Sequence, residues 1–189
     1  MSDKPSALVL VAQGSEEMEA VISIDVLRRG GIDVTVAGVD SADPIRCSRG
    51  VVISPDVALD SVDGDFDIVV LPGGAEGAQR LAQSAKVGEI LRRQETSGRL
   101  VGAICAAPIA LEAHGVFGNR QLTSHPSVKE MLEDWGEYSE HSVVADGNLI
   151  TSRGPGTAFP FALRIVGMLT DAKRMADVRA PMMFPVQVS

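Results

Sequence analysis

Apolar positions along the chain alternate between unbroken runs and one-sided helical spacing from end to end. Residues 7–12 (ALVLVA) form an unbroken apolar run, the pattern of a strand covered on both faces. It stops at Gly14-Ser15, where Ser15 is placed to cap a helix over residues 16–29. Glu16 and Glu17 suit the positive end of that helix as solvated carboxylates, and Gly30-Gly31 ends it. Met18, Val21, Ile22 and Val26 share its apolar face.

Further strand-type runs occupy residues 32–39, 66–71 (FDIVVL) and 100–104 (LVGAI), the last two each entering a tight turn and then a helical segment. Helical spacing follows at 85–94, 107–113 and 127–134. Residues 143–151 read as a hairpin around Asp146-Gly147, and a last long helix spans about 155–169. Strands alternating with helices predict an α/β fold with a parallel sheet and helices on both faces. No repeat, low-complexity tract or linker interrupts the pattern, so 189 residues are expected to form one domain, 1–189.

Composition narrows the function classes. Hydrophobic residues make up 45% and aromatic ones 4%, so the core must be mostly Val, Ile, Leu, Ala and Met. A net charge of −8 argues against phosphate-backbone binding, and no nucleic-acid partner is expected. No run approaches the ~18 apolar residues of a membrane span. The segment Met1-Ser2-Asp3-Lys4-Pro5 lacks the features of a secretory signal, so a cytoplasmic, reducing setting is expected. Cys47 and Cys105 make neither a disulfide framework nor a metal-type pair, and His114, His125 and His141 are dispersed. No metal or other cofactor is expected.

Ligands in open α/β sheets collect at the C-terminal ends of strands. Three informative segments stand there: residues 14–19 (GSEEME), 71–74 (LPGG) and 103–108 (AICAAP). Cys105 lies between a strand and a helix among small residues, the layout of a nucleophile elbow. A helix N-terminus there would favour the thiolate. The alternative, a buried cysteine acting as a small hydrophobe, is what isolated cysteines commonly are; the strand–Cys–helix context favours the reactive reading. Gly73 and Gly74 can present backbone N–H groups to an oxyanion, or simply make a tight turn. Glu19, if buried and protonated against Cys105, can donate a hydrogen bond and shuttle a proton. If ionised, it would oppose the thiolate. His125 can reach the same site as a proton carrier or orienter, and Arg49 or Arg153 can offer an anion a guanidinium.

These segments resemble the DJ-1 family within the DJ-1/PfpI superfamily over nearly the whole chain. The match includes Gly14-Ser15-Glu16-Glu17-Met18-Glu19, Cys47-Ser48-Arg49, Leu71-Pro72-Gly73-Gly74, Ala103-Ile104-Cys105-Ala106-Ala107-Pro108, Ser124-His125-Pro126 and Ser152-Arg153-Gly154-Pro155-Gly156-Thr157. The resemblance implies a flavodoxin-like three-layer sandwich and a homodimer. It implies Cys105 as nucleophile, Glu19 hydrogen-bonded to it, His125 nearby, and Gly73, Gly74 and Ala106 as backbone donors. It further implies cofactor-free glyoxalase chemistry on methylglyoxal and glyoxal, or deglycation of early glycation adducts on proteins. The competing implication is a redox-sensing, chaperone-like dimer read out by oxidation of Cys105 to the sulfinic acid. Protease-like relatives place a histidine after the cysteine; Ala106 stands there instead, which lowers a protease reading. Pro160 replaces an acidic residue common in the family, and the tail beyond Pro181 is slightly longer than usual.

Overall fold

Burial along the first strand sets the architecture. β1 (Ser6–Val11) turns Ala7, Val9 and Val11 to one side and Leu8 and Leu10 to the other, and all five are fully buried. Only a strand with helices on both faces meets that condition. The computed structural model of the chain describes residues 4–184.

The elements follow in chain order. α1 (Glu17–Arg29) and β2 (Asp33–Gly38) lead to short strands β3 (Ile45–Arg46), β4 (Val52–Ile53) and β5 (Val57–Ala58). β6 (Ile68–Leu71), α2 (Ala75–Gln83), α3 (Ala85–Ser97), β7 (Leu100–Ile104) and α4 (Pro108–Ala113) come next. Then come β8 (Gln121–Leu122), α5 (Lys129–Leu132) and β9 (Glu137–Tyr138). β10 (Val143–Asp146), β11 (Leu149–Ser152), α6 (Ala158–Leu169) and α7 (Ala172–Arg179) complete the described chain. The central sheet has seven strands in the order β10-β11-β7-β6-β1-β2-β5. All its pairings are parallel except β10 with β11. The α/β fold with helices about a mostly parallel sheet is therefore as the sequence predicts.

On one face of the sheet, Val26 and Leu27 of α1 join Phe161, Ile165 and Val166 of α6 against Ala7, Val9 and Val11. On the other, Leu81, Ile90, Leu91 and Leu111 cover Leu8, Leu10 and Val69. The chain passes from β1 to β2 on one side and then returns to β6 on the other. The strand order thus reverses beside β1, opening a crevice at the C-terminal ends of β1 and β6.

Several local expectations are corrected. Ser15 does not cap α1: it is fully buried and its Oγ accepts the Ala12 N–H at 3.0 Å. Glu16 is the cap, its Oε2 accepting the Glu19 N–H at 2.9 Å. Met18 and Val21 are about half exposed, while Glu17, Glu19, Ala20 and Ser23 lie on the buried face. The helical pattern at 127–134 resolves into a 3₁₀ turn, Pro126–Val128, and the four-residue α5. Pro160 is the third residue of α6, in the turn where helical N–H groups have no partner to lose. Residues 185–189 of the tail lie outside the described residues, as do 1–3. Among the described residues no helix is long and apolar enough to cross a membrane.

Candidate functional site

Cys105 occupies the joint between β7 and the turn that opens α4, with φ at +64°, a left-handed backbone uncommon for a residue with a side chain. Two long-range hydrogen bonds hold it there. Its N–H donates to Ser152 O at 2.9 Å, and its carbonyl accepts the His125 N–H at 2.8 Å. β11 and the His125 segment therefore fix the nucleophile candidate from outside its own strand and helix.

Glu19 is fully buried beneath it. Gly73 N–H donates to Glu19 Oε2 at 2.7 Å, whereas Oε1 is buried without a regular hydrogen-bond partner. The Cys105 thiol and this carboxyl interact both as charges and as hydrogen-bond partners. Burial pushes the Glu19 carboxyl up to about 7, against the lowering effect of the Gly73 N–H and the thiol. It therefore carries a proton for much of its time at neutral pH.

The thiol moves the other way from the expectation based on a helix N-terminus. Burial, then the charge and hydrogen bond of Glu19, push it well above its usual value, while the Gly74 and Ala106 N–H groups pull it down. The reason is geometric: a thiol at 9% exposure beside a carboxylate loses more from desolvation and like charge than two amides return. Cys105 and Glu19 compete for a proton rather than each titrating alone.

Gly73 and Gly74 divide their work. Gly73 N–H is taken by Glu19, so it is not available to an oxyanion, which corrects the expected donor set. A Cβ on Gly73 would stand 2.6 Å from Cys105 Cβ and 2.8 Å from Glu19 Oε2, so only hydrogen lets the three meet. Gly74, at φ +89°, turns its N–H toward the sulfur as Ala106 does.

A cavity of about 650 Å³ opens over the thiol, lined by Cys105, Glu16, Arg49, Gly74, Ala106 and His125 among others. Glu19 and Gly73 stand behind the thiol rather than in the cavity wall. Arg49 reaches the cavity and its Nη1 donates to Ser48 O at 3.3 Å. Arg153 does not reach it: Glu140 holds its Nη1 at 2.7 Å, and the guanidinium also donates to Glu140 O at 3.0 Å. The sequence offered either arginine to the site, and the structure brings Arg49 to the cavity.

Other contributors were missed. Glu17, expected as a solvated carboxylate, is 6% exposed and accepts from Ser48 Oγ and Arg49 N, each at 2.8 Å. Those bonds tie the 48–51 loop, and with it Arg49, to α1; burial pushes the Glu17 carboxyl up, but its own backbone N–H together with these bonds holds it below its ordinary value. Glu140 binds both Lys129, at 2.9 Å, and Arg153, joining α5 to the segment that follows β11. Nothing local in the sequence singles out Glu140, because its partners lie 11 and 13 residues away.

Comparison with known proteins bears on this arrangement. The model of the DJ-1/PfpI family matches residues 5–168. Protein DJ-1alpha of Drosophila melanogaster is 50% identical over 182 residues, covering 95% of this chain and 84% of that protein. A Caenorhabditis elegans protein named glutathione-independent glyoxalase DJR-1.2 is 43% identical over 96% of this chain and 98% of its own. The crystal structure of Drosophila melanogaster DJ-1beta superposes with a TM-score of 0.95 at 48% identity, covering 97% of this chain and all of that one.

Proposed function

Because the chain belongs to the DJ-1/PfpI family, we propose that it is a glutathione-independent glyoxalase in which Cys105 and Glu19 carry the chemistry. The observation that carries this reading is a thiol pinned at a left-handed joint against a fully buried carboxyl, which burial pushes up to about 7. The relative named as a glyoxalase supports the reaction class.

Sulfur attacks the aldehyde carbon of a 2-oxoaldehyde while its proton passes, through Glu19, to the aldehyde oxygen, giving a hemithioacetal. Glu19 in its carboxylate form then removes the proton on that carbon, giving an enediolate, and returns it to the neighbouring carbon, while the hydroxyl proton of the first carbon passes to the oxygen of the second. The product of this transfer is a 2-hydroxyacyl thioester, which water cleaves to the 2-hydroxy acid and free Cys105. Methylglyoxal plus water thus becomes lactate, with no change in overall oxidation state. Gly74 and Ala106 N–H groups, already aimed at the sulfur, stabilise oxyanions formed beside it. Glyoxal and early glycation adducts on proteins are the wider substrate class, and the cavity volume leaves room for more than a three-carbon molecule.

The whole chain is proposed to act as one domain and to work as a homodimer. Met18, Val21, Val51 and Val52 support the dimer: they are 52%, 48%, 49% and 55% exposed on α1, on the loop that Glu17 ties to it and at the start of β4. The test of function is steady-state consumption of methylglyoxal by reduced protein, with the product identified, beside Cys105→Ser. Cysteine-dependent lactate formation supports the reading, and folded wild-type protein without turnover sinks it for this substrate.

The redox-sensor reading also has a specific observation in its favour. A Glu19 carboxyl that titrates near 7 has a proton to donate to a sulfinate oxygen on Cys105. Mass measurement after mild peroxide checks it, and failure to gain two oxygens at Cys105 counts against it.

A further inference from the structure

His125 stands in the cavity wall with Cys105, and its ring has an unusual neighbour two residues on. Ser127 N–H donates to His125 Nδ1 at 3.2 Å, and Ser127 Oγ lies 2.8 Å from the same nitrogen. An amide N–H can only donate. Nδ1 must therefore present its lone pair, the hydroxyl must donate to it as well, and the proton of the neutral ring sits on Nε2. The segment is held independently of the ring: His125 N–H is fixed on Cys105 O, and Tyr138 Oη donates to Ser124 O at 3.1 Å. Pro126 opens the 3₁₀ turn that brings Ser127 back beneath the imidazole.

We propose that Ser127 is a positioning residue that locks His125 as an Nε2–H donor to an oxygen of the substrate. The substrate class this selects carries a second oxygen next to the carbon that Cys105 attacks, as the ketone oxygen of a 2-oxoaldehyde does. That oxygen gains electron density as the enediol forms, and an N–H held toward the cavity stabilises it without accepting a proton. Proton removal is left to Glu19. The donor role rests on the glyoxalase reading; the tautomer does not, since two donors on Nδ1 determine it.

The test combines ¹⁵N-histidine NMR on the whole protein with kinetics. His125→Gln identifies the His125 signals among the three histidines. In wild-type protein the neutral ring is expected to show a protonated Nε2 and a bare Nδ1. Ser127→Ala removes one of the two donors, so the Nδ1–H form should rise. Its kcat should fall roughly three- to tenfold, the worth of one neutral hydrogen bond, with KM little changed. Ser127→Thr should restore both. A wild-type ring protonated on Nδ1, or an Ala variant with unaltered tautomer balance, overturns the proposal. Absence of turnover in protein whose ring shows the Nε2–H pattern counts against the glyoxalase reading and leaves the tautomer lock standing.

Discussion

Gly73 donates its backbone N–H to Glu19 Oε2 at 2.7 Å, across 54 residues of sequence, and so assigns different tasks to the two oxygens of one carboxyl. The oxygen that accepts the amide is fixed as an acceptor. The other, Oε1, is the place left for a proton, within the same buried pair as the thiol.

Glu19→Gln keeps an acceptor for Gly73 but removes the charge. Turnover of methylglyoxal should fall at least 100-fold, since general acid–base catalysis contributes roughly 10²–10⁴. The thiol should titrate lower, because the charge that pushed it up is gone. Iodoacetamide alkylation against pH reads this directly. A midpoint at or above that of wild type would show that the carboxyl does not oppose the thiolate.

Stability should depend on pH through the same group. Glu19 titrates near 7 when folded and has an ordinary value of 4.5, so between these the folded state holds the extra proton. Its contribution is complete below about 4.5 and is lost as pH rises through 7, by an amount on the order of 3 kcal/mol. Urea unfolding at pH 4.5, 6 and 8 should show this slope in wild type and a flatter one in Glu19→Gln. Equal slopes in the two proteins would remove Glu19 as its source.

Gly73→Ala places a methyl 2.6 Å from Cys105 Cβ, 2.8 Å from Glu19 Oε2 and 2.9 Å from Ile104 O. Two of these neighbours are rigid, so the strand end must move. A loss of about 1–3 kcal/mol in stability is expected, together with turnover. Thermal unfolding and activity measured on one preparation check both, and a variant retaining wild-type kcat would mean that the thiol and carboxyl tolerate displacement.

The left-handed backbone at Cys105 separates two otherwise similar variants. Cys105→Ala keeps a Cβ at φ +64°, whereas Cys105→Gly removes the steric penalty. Glycine should leave the fold about 0.5–1 kcal/mol more stable than alanine does, after its larger entropy in the unfolded chain is counted. Differential scanning calorimetry would show the order, and alanine above glycine would contradict a strained joint.

Val52→Glu places a charge in the exposed apolar set of Met18, Val21, Val51 and Val52. If these residues cover a second copy, sedimentation should shift from dimer toward monomer in the variant while circular dichroism stays unchanged. Wild-type protein sedimenting as a monomer would disprove the assembly.

The strands β1, β6 and β7 were legible because burial on both faces demands unbroken apolar runs, whereas β2 keeps the polar Asp33 and Thr35 at its exposed and half-buried positions. α2 and α7 were not placed, since their apolar positions are few: Gly77, Ala78 and Leu81 are buried in the first and only Val178 in the second. Cys105, Glu19 and Gly74 were readable from their place at strand ends. The capping role of Glu16, the buried Glu17 and the withdrawal of Arg153 were not. Each depends on a partner far away in sequence or on a choice between adjacent carboxylates that spacing does not separate. The same limit hid Met18 and Val21, which sit on the apolar side of α1 by periodicity but outside the core.

The backbone bonds at position 105 run to Ser152 and His125, and the donors aimed at its side chain come from Gly74 and Ala106. None of these four attachments requires sulfur. The joint works as a socket whose fitting can be exchanged: serine or glycine, no larger than cysteine, can sit in it without unseating the surrounding amides, while β-branched residues cannot adopt its backbone without severe strain. Reactivity is therefore carried by a replaceable head on a fixed mount, and a protein of this design can change or lose its chemistry without rebuilding its pocket.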